Sequence, residues 1–70
     1  MPLNIDSIRL RRERLRLTQE DAAARAGIHQ PHWARIEAGH VQSPRLDTLQ
    51  RVAAALECEV GELLRERSKP

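Results

Sequence analysis

The chain has little of what anchors or braces many small proteins. Its 70 residues hold one cysteine, one tryptophan, and neither phenylalanine nor tyrosine. With Cys58 alone no intrachain disulfide can form, so nothing points to an oxidising compartment. No apolar run approaches membrane-spanning length, and the opening MPLNIDSIRLRR lacks the apolar segment of a secretory signal. The expected setting is therefore cytoplasmic, with no membrane partner. Repeats and low-complexity tracts are missing, and no stretch alternates as a half-buried strand does. No activated nucleophile, paired carboxylates or phosphate-cradling loop stands out, so no enzymatic activity is expected. His29, His32 and Cys58 do not form a zinc set, which needs four closely specified ligands. No metal or cofactor is expected.

What is present is charge, unevenly placed. The net charge is only +2, but residues 1–45 carry eight arginines against five acids. Residues 46–70 carry four basic residues against five acids. A basic front half suits a phosphate-bearing partner, although a solvated arginine-rich surface gives the same count. The length fits one domain, residues 1–70 with a core of about 5–65, burying roughly 60% of its unfolded surface.

Gly, Pro and capping residues divide the chain into five short helical segments. The first runs roughly Ile5 to Leu15, with Ile5, Ile8, Arg12 and Leu15 on one face. The second is TQEDAAARA, where Thr18 can cap the free N–H groups, Asp21 completes the cap, and Gly27 ends the helix. The third is QPHWARIEA, stopping at Gly39. Ser43 and Pro44 form a plausible cap and first position for a fourth helix burying Leu46, Leu49, Val52, Ala53 and Leu56. A fifth helix with Val60, Leu63 and Leu64 follows, before RERSKP frays.

Two helices joined around a glycine make a helix-turn-helix. Here the turn is Gly27-Ile28-His29, and Ala22, Ala23 and Ala26 permit close approach of the second and third helices. At about 100° per residue, Trp33, Ile36 and Glu37 share the inner face of the third helix. Trp33 reads as a core wedge on that phase. Pro31 and Arg35 point outward, flanked by His32 and Ala34, with Gln30 at the exposed tip. Pro31 is tolerated because first-turn N–H groups have no intrahelical acceptor. Such a face suits the major groove: Gln can pair with adenine, Arg with guanine, and Pro can pack on a thymine methyl.

The run from Ile8 to Leu64 resembles the lambda-repressor-like helix-turn-helix family of phage repressors, Cro proteins and Xre-type regulators. The resemblance rests on IRLRRERLRLTQED, AGIHQPHWARIEAG and SPRLDTLQRVAAALECEVGELL at these separations. It implies an all-α, compact five-helix domain whose helices two and three form the motif. It further implies base contacts from Gln30, Pro31, His32 and Arg35, and phosphate contacts from Gln19, Ser43 and Arg45. Gln19 corresponds to a residue that also supports the first recognition residue. Arg12 and Glu37 match a partly buried salt bridge. The implied activity is a sequence-specific regulator, in the main a promoter-occupying repressor. It would act as a homodimer on palindromic double-stranded DNA, with the Cys58–Leu64 region as a dimer surface or as closure of the core. A phage repressor, a restriction–modification controller and an antitoxin with a toxin as protein partner all fit, and the last need not bind DNA. The sequence also departs from the family. His29 replaces a capping Ser or Thr, Pro31 a polar contact residue, Ala22 a Leu, and Trp33 an Ile or Val. Glu57 stands where Gly usually follows the fourth helix.

Overall fold

The computed structural model describes residues 3–41 and 43–64; the RERSKP segment and the far edge of the expected core lie outside them. The chain runs through α1 (Ile5–Arg14), α2 (Gln19–Ala26), α3 (Gln30–Glu37) and α4 (Leu46–Ala55). A single 3-10 turn, Val60–Leu63, follows α4. The architecture is all-α, and among the described residues the only extended pairing is an isolated antiparallel bridge between Leu3 and Leu64.

Local chemistry starts the first two helices. Asn4 caps α1 by accepting from the Ser7 N–H at 3.1 Å. Thr18 and Asp21 exchange side-chain bonds with each other's N–H groups at 3.0 and 3.1 Å, the reciprocal box that satisfies two orphan donors of α2. The last two helices begin without this help. His29 makes no side-chain cap for α3, and neither does Arg45 for α4.

All four helices end alike. The N–H of Leu17, Ile28, His40 and Cys58 returns to the carbonyl of Arg12, Ala23, Arg35 and Ala53 at 3.0–3.1 Å. Each closure places the preceding residue in the left-handed region: Arg16 (φ 58°), Gly27 (72°), Gly39 (81°) and Glu57 (58°). Two of these positions hold glycine, which enters that region freely; Arg16 and Glu57 bear the steric cost of a Cβ there.

The core lies between the helices and beneath α3. Trp33, Ile8, Ile36, Leu63 and Val52 are the largest fully buried side chains. Ala22, Ala23 and Ala26 are buried along α2, and their small size lets both α3 and α4 pack closely on it. Residues 4–11 and 62–63 meet over this core. Asn4 N–H donates to the Leu63 carbonyl at 2.8 Å, and Ser7 Oγ donates to the Glu62 carbonyl at 3.1 Å. Arg11 meets the Glu62 carboxylate at 2.7 Å.

Three expectations for the back half are corrected. The fifth helix is one 3-10 turn, because four residues that include Gly61 are too short to propagate α-helical bonds. The cap of α4 is Arg45 rather than Ser43, since the chain remains extended through Arg45 (φ −66°, ψ 155°). Leu46 is 63% exposed rather than buried, because the first turn of α4 projects past the core that holds Val52, Ala53 and Leu56.

Candidate nucleic-acid interface

The outer face of α3 carries Gln30, Pro31 and Arg35, all exposed, with His32 and Ala34 half-buried beside them. Its inner face carries Trp33, Ile36 and Glu37, all buried. This division follows from a period of 3.6 residues and places the apolar anchors opposite the exposed polar groups. Pro31 occupies the first turn, where its missing N–H breaks no intrahelical bond.

Glu37 organises the region behind that face. It is 4% exposed, yet its two oxygens accept four hydrogen bonds. Arg12 of α1 donates from Nε to Oε2 at 2.5 Å and from Nη2 to Oε1 at 3.0 Å. Gln19, the first residue of α2, donates from Nε2 to Oε1 at 3.1 Å. Trp33 of α3 donates from its indole nitrogen to Oε2 at 2.5 Å. Arg12 also donates through Nη1 to the Leu17 carbonyl at 2.8 Å, fixing the approach to α2. Burial pushes the Glu37 carboxyl upward, but the bonds from Arg12, Trp33 and Gln19 outweigh it and hold the group below the usual carboxylate range. The bond to Glu37 raises Arg12 in turn, against the effect of its own burial.

The cluster reaches the surface through one further bond. Gln30 Nε2 donates to Gln19 Oε1 at 3.3 Å. Arg12, Glu37, Gln19 and Gln30 therefore form a continuous path from the protein interior to the tip of α3. Ser43 and Arg45 are exposed, and among the described residues no hydrogen bond ties their side chains to this path. Arg9 approaches the other end of α3, donating to the Glu37 carbonyl at 3.5 Å.

With this geometry in view, residues 8–63, 56 of the 70, match the helix-turn-helix family. The chain is a lambda-repressor/Xre-like helix-turn-helix protein. Helix-turn-helix proteins of this kind are DNA-binding transcription regulators, and their second motif helix lies in the major groove. No curated protein matches the chain. Within this helix-turn-helix protein, α2 and α3 are the motif, and Gly27 makes the bend between them. Helical phase places Trp33 inside as packing and leaves the polar role of its indole N–H unseen. The spacing of four between Trp33 and Glu37 is the available signal, because residues at that spacing meet on one helix face. No described helix is long and apolar enough to cross a membrane.

Proposed function

We propose that this helix-turn-helix protein is a sequence-specific transcriptional repressor that occupies promoter DNA as a homodimer. The domain doing so comprises residues 1–70, with a core of about 5–65. The observation that carries this reading is the exposed Gln30–Pro31–Arg35 face of α3, braced from behind by the Gln19–Glu37–Arg12 path. Gln30 and Arg35 supply directional base contacts, Pro31 supplies methyl packing, and His32 flanks them. Gln19, Ser43 and Arg45 hold phosphates at or beside the starts of α2 and α4, where free N–H groups and the helix dipoles favour anions. Arg12 and Glu37 form the structural ion pair that keeps α1 and α3 in register.

A single small module makes few contacts, and that favours two copies reading half-sites about 34 Å apart. Leu63 is unavailable to a dimer contact, because it is fully buried in its own core. The remaining apolar surface in that region is Cys58, Val60 and Leu64, each half-buried, beside the exposed Glu59, Gly61 and Glu62. Burial pushes the Cys58 thiol up, which suits a packing role rather than a reactive one.

Selection from random duplex DNA, followed by gel shifts over a salt series, tests the proposal. The expected result is a palindromic preferred site and a steep log-linear fall in affinity with salt. Absence of measurable DNA binding at low salt would falsify it and favour a protein partner.

A further inference from the structure

We infer that Trp33 is a positioning residue for base reading, its indole N–H holding the Glu37 carboxylate in the orientation that sets, through Gln19, how the Gln30 amide faces the groove. The inference rests on the proposed reading of Gln30 as a base contact.

Donor and acceptor types fix the arrangement. A carboxylate only accepts, and an indole N–H only donates. Glu37 Oε1 receives Arg12 Nη2 and Gln19 Nε2, while Oε2 receives Arg12 Nε and Trp33 Nε1. Four bonds use the lone-pair sites of both oxygens. The donors come from three helices, and Trp33 alone comes from α3 itself.

Polarity then passes outward. Because Glu37 can only accept, Gln19 must turn its nitrogen inward and its Oε1 outward. Because Gln19 Oε1 can only accept, Gln30 must turn its own nitrogen toward it, at 3.3 Å. Among the described residues, Gln30 is left with one N–H and its Oε1 unclaimed. That pair complements the N7 acceptor and N6 donor of adenine. Reversing either amide would set two donors or two acceptors against each other.

Trp33 secures the end of this path that Gln19 does not touch. Without its N–H, Oε2 keeps only Arg12 Nε, and the carboxylate can pivot about the arginine fork. Such a pivot draws Oε1 away from Gln19 and loosens the order imposed on both amides. The ring itself is fully buried and serves the core, so its packing and its N–H are separable.

Two full-length variants separate them: Trp33→Phe, and a synthetic chain with benzothienylalanine at position 33, in which sulfur replaces the N–H in a ring of the same shape. Competition binding against single-base changes in the selected site gives the readout, with Gln30→Ala marking the base pair that Gln30 reads. Both variants are expected to lose about three- to tenfold of the preference at that pair, while the salt slope, which charged contacts set, stays unchanged. Side-chain amide resonances of Gln19 and Gln30 in the free protein are expected to shift. A folded benzothienylalanine chain with full preference and unchanged resonances overturns the inference. If Gln30→Ala alters no base preference, the base-reading proposal has failed instead, and unchanged Gln19 resonances in the variants then overturn the Trp33 role independently.

Discussion

Arg12 holds Glu37 through both Nε and Nη2, across 25 residues of chain and between α1 and α3. Arg12 is 13% exposed and Glu37 4%, so water screens the pair little. Removing one charge leaves the other buried with fewer partners, which is far costlier than losing a surface pair. Glu37→Gln is expected to lower stability by about 2–4 kcal/mol. For a domain of this size that is a fall in melting temperature on the order of 10 °C or more. An unchanged melting curve would show that the carboxylate charge contributes nothing to the fold.

The same carboxylate gives an acid sensitivity of defined sign. Its folded-state value lies below the ordinary one, because the hydrogen bonds to Arg12, Trp33 and Gln19 exceed the opposing effect of burial. A depressed acid stabilises the fold fully above its unfolded value, about 4.3, and that contribution is lost as pH falls through the folded value. The stability gap between wild type and Glu37→Gln should therefore be widest near pH 7 and shrink below about pH 4. Denaturant unfolding at a series of pH values measures it, and a gap of constant size would contradict the assignment.

Glu57 and Gly27 occupy equivalent places after α4 and α2, each in the left-handed region. A non-glycine residue there bears about 1–2 kcal/mol of steric cost, partly offset by the chain freedom that glycine loses on folding. Glu57→Gly also removes the exposed ion pair with Arg25 at 3.2 Å, which is worth little. The expected net result is stabilisation by about 0.5–1 kcal/mol. Gly27→Ala should do the reverse by about 1 kcal/mol, its added Cβ meeting only the end of the Arg51 side chain at 3.3 Å. Thermal melts that place the two changes in the same direction would refute the account.

How much of this was legible in the sequence depends on how local each cause is. The Thr18–Asp21 box and the Gly27 bend are set within a few residues, so short-range chemistry reveals them. The facing of α3 follows from periodicity, which separates Trp33 and Ile36 from Pro31 and Arg35. Leu46 shows where periodicity stops: it lies on the apolar stripe of α4, but exposure depends on how far that helix extends past its neighbours. The start of α4 is not legible locally, because a Ser-Pro pair fits an extended loop as well as a helix start. The 3-10 turn meets Asn4 and Ser7 through contacts that span most of the chain and leave no local signal. Periodicity also places Trp33 inside without showing that its N–H meets an acceptor.

Arg35 and Arg45 are both exposed cations, and the proposed interface gives them different work. Arg35 projects from the middle of α3, where a guanidinium can pair with guanine O6 and N7. Losing that contact costs about 1–3 kcal/mol on the preferred site and little elsewhere. Arg45 stands at the start of α4, where the proposed interface sets it against phosphate whatever the sequence. Arg45→Ala should weaken all DNA alike and reduce the salt slope by about one unit. Arg35→Ala should instead flatten the difference between preferred and unrelated sites while leaving unrelated-site affinity nearly intact. Binding isotherms for both variants on both DNAs, across several salt concentrations, separate the two patterns. Equal losses from both on every sequence would remove Arg35 from base reading and leave it a second phosphate contact.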